Sequence, residues 1–340
     1  MPSLETLLGG VMMVSLTFYV LLAGADYGGG VWDLFASGLR AKGQRELIAK
    51  AIAPIWEANH VWLILVVVVL FTAFPQAYAL ISTSLHVALL LLLLGIVLRG
   101  SAFIFRANDA APSQAHGRWG RIFAVASLGT PILLGVVVGA ISSGSIRAPG
   151  EHVELAYFFI WVAPFPFAVG LFALVLFALL AAVYLTLETD DAALQDDFRR
   201  RAIACEVVAA LVALVVFLLS QQDAPAIRER LANSGWAWPL QFATALAALS
   251  TLAALWARRF QLARFCAAGQ VVLILWGWAL AQYPYLVRPE LTVHDSAAPQ
   301  ATMRALLWAL AVGVVVLFPS YWYLFHVFKG RTQSSPVRHG

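Results

Sequence analysis

The sequence predicts an all-α, polytopic membrane protein of about nine spanning helices, amino terminus outside and carboxyl terminus cytoplasmic. Three observations carry this. Of 340 residues, 61% are hydrophobic and only 12% charged, which excludes an ordinary soluble domain. Apolar runs of about 20 residues, the length that crosses a ~30 Å hydrocarbon core, recur almost end to end. The basic residues also alternate between connections, as the positive-inside rule requires. No linker, low-complexity tract or long polar insert interrupts the chain, so residues 1–340 read as a single integral membrane domain.

The expected spans are 7–34, 53–74, 78–103, 119–141, 157–187, 202–220, 237–257, 262–283 and 303–328. The first begins without a basic residue before Arg40, so it reads as an uncleaved helix although Ala23-Gly24-Ala25 imitates a signal-peptide cleavage site. The first and fifth are long enough to tilt. Seventeen basic residues fall on one side, among them Arg40, Lys42, Arg45, Lys50, Arg199, Arg200, Arg201 and Arg258; five fall on the other. The net charge of +4 is therefore a topology signal, dispersed among loops, and not a nucleic-acid footprint. Trp and Tyr crowd the span ends as interfacial anchors. Cys205 and Cys266 form no metal or disulfide pattern and read as reduced, inert thiols.

The segment Pro54-Ile55-Trp56-Glu57-Ala58-Asn59-His60-Val61-Trp62 opens the second span. Charge at the mouth of a membrane helix is expensive and usually functional. Glu57 and His60, three residues apart, are expected to share a face. Asp26 falls toward the same end of the first span, before Gly28-Gly29-Gly30, a run that permits close backbone approach. The two helices are expected to pack, gathering Asp26 and Glu57 at one polar entry. Burial disfavours the charged form of a carboxylate, which suits proton uptake and release near neutral pH. Asp26, Glu57 and His60 thus make a candidate proton relay, with Trp56, Asn59, Trp62 and Arg99 as supporting residues. The plainer reading is an interhelical hydrogen-bond network, or a carboxylate paired with Lys50 or Arg99. Asn59 suits a bridge between helices, and Arg99 suits either snorkelling or neutralising Glu57.

His86 reads as hydrogen-bonded inside the bundle, with Ser82 or Thr83, more readily than as a heme ligand; His326 is a weaker candidate still. No metal-ligand spacing occurs, so no metal site is assigned. Glu188, Asp190, Asp191, Asp196 and Asp197 read as a solvated loop, and Glu206 as facing a partner or water.

Pro54-x-Trp56-Glu57-x-Asn59-His60-Val61-Trp62 resembles the Pro-x-Trp-(Asp/Glu)-x-Asn-(His/Gln)-Val-Trp element of cytochrome bd-type quinol oxidase subunit II. Asp26-Tyr27-Gly28-Gly29-Gly30, the Arg99 to Arg106 stretch, Pro164-Phe165 with Gly170-Leu171, Tyr283-Pro284, and Leu291-Thr292-Val293 with Asp295 and Ala297-Ala298 are similar to further elements of that family. The short chain and the glycine run resemble its cyanide-insensitive branch. The resemblance implies a heme-free subunit of a bacterial inner-membrane complex. Its partner, subunit I, holds hemes b and d, oxidises quinol and reduces oxygen to water. It leaves room for a small single-helix accessory subunit, membrane lipids and a structural quinone or lipid on this chain. It implies proton transfer at Asp26 and Glu57. Two family carboxylates are replaced, at Ala23 and Ile104. The expected function is that of a subunit supporting subunit I and admitting protons from the cytoplasm. The alternatives are a proton-coupled secondary transporter and a purely structural membrane subunit.

Overall fold

The computed structural model describes residues 3–52, 56–108, 114–147 and 160–329. In order these form α1 (Leu4–Leu34), α2 (Ala41–Ile52), α3 (Trp56–Asn59), α4 (Val61–Ala73), α5 (Pro75–Ser84), α6 (His86–Asn108) and α7 (Gln114–Ser143). Then come α8 (Pro164–Leu185), α9 (Ala192–Asp223), α10 (Pro225–Asn233), α11 (Ala237–Trp256) and α12 (Phe260–Gln282). A two-stranded hairpin, β1 (Tyr285–Val287) and β2 (Leu291–Thr292), precedes α13 (Gln300–Lys329). Among the described residues eight helices are long and apolar enough to cross a membrane, and nine if α2 and the stretch Glu57–Ala73 count as one bent span. The chain is a multi-pass membrane protein.

The elements follow the expected spans, with local differences. Residues 53–55 and 157–159 lie outside the described residues. The expected second span appears as α3 and α4, which meet at His60, where the amide of His60 donates to the Glu57 carbonyl at 3.2 Å. The expected span 78–103 starts earlier, at Pro75, whose fixed φ suits a first helical position. It is also broken at Leu85, between α5 and α6. The expected span 202–220 extends back to Ala192 because Asp191 caps it, its carboxylate accepting from the amides of Ala193 at 2.8 Å and Leu194 at 3.4 Å.

α8 is the hub. It packs against α1, α7, α9 and α12, and 61% of its apolar stretch is buried; for α13 the figure is 6%, which makes α13 peripheral. Small residues let the hub be approached closely. Gly28 of α1 lies so near α8 that a Cβ there would stand 2.0 Å from the Phe177 carbonyl oxygen. Gly135 of α7 and Gly170 of α8 meet in the same way: a Cβ on Gly135 would lie 2.7 Å from the Gly170 Cα.

The two ends of the bundle differ. At one end the turn after α1 and the start of α9 meet through charge. Arg40 grips Asp197, while Asp196 receives Arg199, Arg200 and Arg258 at 2.8, 2.9 and 3.1 Å. At the other end the β-hairpin docks on the helices: the Ala298 amide donates to the Ala73 carbonyl at 2.8 Å, and Val287, Val293 and Ala298 join a core with Leu8, Phe74 and Ile146. His294 reaches Glu5 there at 2.8 Å.

Candidate functional site

Asp26 lies on α1 seven residues before Asp33, and both are buried. At 3.6 residues per turn, positions seven apart share a face and stand about 10 Å apart along the axis. On α6, Arg99 and Arg106 repeat that spacing. The Arg99 Nη2 donates to the Asp26 backbone carbonyl at 2.8 Å. The Arg106 Nη1 and Nη2 donate to the two Asp33 carboxylate oxygens at 2.7 and 2.9 Å. Both rungs join residues 73 apart in the chain, so α1 and α6 run in the same direction with a fixed register. Phe123 of α7 fills the space between the rungs, 5.3 Å from the Arg99 guanidinium and 5.9 Å from that of Arg106.

Opposite Arg99, the Asp26 carboxylate accepts from Asn59 Nδ2 at 2.6 Å. Asp26, Asn59 and Arg99 are all buried, Asn59 and Arg99 almost completely. Three elements, α1, α3 and α6, therefore converge on one aspartate. The Arg99 guanidinium also lies 4.6 Å from the Tyr27 ring centroid, so its apolar face is covered while its edge meets the carbonyl. Farther from the basic end, the His60 ring sits 6.0 Å from Tyr19 and 6.1 Å from Tyr27. The Tyr19 hydroxyl donates to that of Tyr27 at 3.4 Å. Trp62 stacks on Phe18 at 4.5 Å and is buried.

The structure thus brings together Asp26, Asn59 and Arg99, with His60 and Trp62 alongside. It does not bring Glu57 to Asp26. Glu57 is exposed while Asn59, two residues on, is buried; two residues turn a helix through about 200°, so the two face opposite ways. Among the described residues no ion pair joins Arg99 to Glu57: Arg99 is committed to α1. The side chain of Trp56 lies outside the described residues, as do those of His326 and Tyr321. His86 starts α6, exposed, with Nδ1 donating to the Thr83 carbonyl at 2.8 Å. Glu206 faces neither water nor an open surface: it is buried between α9 and α12, accepting from Gln270 Nε2 at 2.6 Å. Cys205 and Cys266 are free thiols, and among the described residues no group of His, Cys, Asp and Glu could hold a metal ion.

Sequence reasoning missed Asp33 and the pairing of Arg106. The signal was present: two acids seven apart on one apolar helix and two arginines seven apart on another.

A family model described as cytochrome bd terminal oxidase subunit II matches residues 4–328. The chain belongs to that family. It is similar to the cytochrome bd-I ubiquinol oxidase subunit 2 of Escherichia coli (strain K12), 25% identical over 94% of this chain and 93% of the relative. It is also similar to the putative cytochrome bd menaquinol oxidase subunit II of Bacillus subtilis (strain 168), 22% identical over 91% of each chain. Among solved structures, a chain of the bd oxidase from Geobacillus thermodenitrificans has the same fold, with a TM-score of 0.81, 22% identity and coverage of 96% of this chain and 99% of that one. This subunit II is part of a quinol:oxygen oxidoreductase complex and pairs with a subunit I, where the family places the hemes.

Proposed function

We propose that this subunit supports the heme-bearing subunit I and delivers protons to it from the cytoplasm through the junction of α1, α3 and α6. The observation that carries this reading is the Asp26 carboxylate, buried within an apolar bundle, held by the Asn59 amide and set beside the Arg99 guanidinium. An ionisable side chain withdrawn from water inside a spanning segment is costly, and such groups recur in proton relays. The positive-inside rule makes the basic end cytoplasmic, so protons enter there. Glu57, exposed, collects them; Asp26 takes them inward; His60 and the Tyr19–Tyr27 pair offer the next exchangeable groups on the side away from that end. Asp33, held by two bonds from Arg106, is a tie and not a carrier; it fixes the register that sets Arg99 against Asp26. Quinol oxidation and oxygen reduction take place on subunit I, at hemes b and d. The complex sits in the bacterial plasma membrane, and a small accessory subunit and a structural quinone or lipid are compatible with the exposed helix faces.

The test uses the assembled complex. Asp26→Asn keeps shape and hydrogen bonding but removes the titratable group. With normal heme spectra, D26N should lower oxygen consumption at least about tenfold, a barrier rise of about 1.4 kcal/mol. Glu57→Gln, at an exposed position that bulk water can replace, should cost less. Wild-type turnover in assembled D26N would leave Asp26 as an interhelical tie, the second reading, which its bonds to α3 and α6 also fit; that tie alone would show as reduced thermal stability.

A further inference from the structure

At the basic end α1 leaves apolar side chains uncovered. Leu34 and Phe35 are 42% and 56% exposed, and Leu39, after the turn at Gly38 (φ 74°), is fully exposed. A leucine gains roughly 1.5–3 kcal/mol from burial, so a fully exposed one at the tip of a turn is unfavourable in water. The next residue is Arg40. Behind the turn lies a cavity of about 380 Å³, whose lining includes Leu39, Arg40, Gln44, Asp197, Arg200 and Arg201. Three guanidinium groups against one carboxylate leave it with an excess of two positive charges.

The three arginines have different parts. Arg201 is the fixed floor: its guanidinium lies 5.2 Å from the Trp32 ring and 5.1 Å from the Phe198 ring, and its Nη2 donates to Gln44 Oε1 at 2.7 Å. Arg40 and Arg200 form the rim, with side chains 52% and 76% exposed. Arg40 spends Nε and Nη2 on Asp197, and Arg200 spends Nη2 on Asp196, so each of these five-donor groups keeps N–H bonds to offer. The cavity also sits at a definite depth. The apolar run of α1 ends at Phe35, and that of α9 begins at Ala202, just after Arg199 to Arg201. Here the apolar runs give way to charge, which is the pattern of a span end at the membrane surface.

A cationic cavity at the boundary, with an apolar tip directed past it, fits an amphiphile with an anionic head. Guanidinium groups match the oxygens of a phosphodiester in geometry and charge. Leu34, Phe35 and Leu39 match an acyl chain; a free phosphate would use the arginines and leave the exposed leucine unaccounted for. We propose that this cavity binds the phosphodiester headgroup of an anionic phospholipid, with its acyl chain against Leu34, Phe35 and Leu39. The site is independent of the proton route through Asp26.

The test takes the purified, delipidated oxidase complex and reloads it from phosphatidylcholine vesicles, or from phosphatidylcholine mixed with phosphatidylglycerol. Native mass spectrometry then counts retained phosphatidylglycerol. The wild-type complex should hold at least one phosphatidylglycerol more than Arg40→Gln/Arg200→Gln, with retention falling roughly fivefold per arginine removed. Leu39→Asn should also weaken retention, a loss that arginine–phosphate attraction alone does not produce. Lys42→Gln, removing a 91% exposed charge outside the cavity, should change nothing. If the double variant fails to assemble, R200Q and L39N carry the comparison, since both sit at exposed positions. Equal retention in wild type and these variants, equal retention of phosphatidylcholine, or complete displacement by inorganic phosphate would each overturn the proposal.

Discussion

At the scale of single residues, the Asp33–Arg106 pair gives the sharpest expectation. Both side chains are largely withdrawn from water, 7% and 19% exposed, and the pair is bidentate. Removing one partner strands the other's charge, which costs about 3–5 kcal/mol for a buried pair. Asp33→Asn should therefore lower the thermal midpoint of the assembled complex sharply. Adding Arg106→Gln should recover part of the loss, because the double variant no longer buries an unpaired charge; additive losses would show that the two residues act separately. Asn59→Leu makes a milder case: the Asp26 carboxylate loses its amide donor, at about 1–3 kcal/mol. The candidate site was legible in the sequence as far as residue type goes. Asp26 and Arg99 stand out because a charge in an apolar run is costly and therefore informative. Which residue of Glu57, Asn59 and His60 meets Asp26 was not legible, because it depends on helix phase, and α3 is four residues long with its phase reset at His60. Asp33 escaped notice because an acid near a helix end looks solvated until its partner on another helix is known.

At the scale of elements, apolar run length decides most of the architecture, and it was readable throughout. The breaks were readable only in part. Pro75 marks the start of α5, whereas nothing at Leu85 or His60 announces an interruption: neither is Pro or Gly, and the backbone hydrogen bonds nearly carry through, with Leu89 donating to the Leu85 carbonyl at 2.9 Å. The hairpin β1–β2 was hidden by its brevity, five strand residues inside what reads as a connection. Contact between elements turns on small residues. Gly28→Val would place a Cβ 2.0 Å from the Phe177 carbonyl oxygen, a backbone atom that cannot yield without moving α8, the hub. Overpacking of this kind costs about 1–3 kcal/mol or more, and here it would also shift Asp26 relative to Asn59. G28V should reduce the yield of assembled, heme-loaded complex, while Gly10→Ala, with nothing within 4 Å of its Cβ, should not. Equal yields would mean that α1 can draw back from α8 without loss.

At the scale of the whole molecule, the polarity of the bundle governs how the rest is read. Charge alternation along the sequence predicts seventeen basic residues on one side and five on the other. Segments far apart in the chain meet at the rich end, where Arg40 pairs with Asp197 and Arg258 with Asp196. The poor end carries the β-hairpin, the turn at Gly144 and the loop before α11. Lysine and arginine near span ends are retained on the cytoplasmic side during insertion, so the turn at Gly38 and the loop at 188–191 should be cytoplasmic, and the turn at Gly144 and the loop at Ser234 outside. Reporter insertions decide this: a fluorescent protein should light up at the first two positions, and alkaline phosphatase should be active at the last two. The outcome has a consequence for the site. Asp33 lies about 10 Å nearer the basic end than Asp26, and Tyr19, whose hydroxyl meets that of Tyr27 and whose ring faces His60, lies about 10 Å the other way along α1. The expected pattern makes the order from Asp26 to His60 an inward path from the cytoplasm, with the Asp33–Arg106 tie on its cytoplasmic side. The reversed pattern would point the same residues outward, so that they would drain protons from the oxygen-reducing partner instead of supplying it.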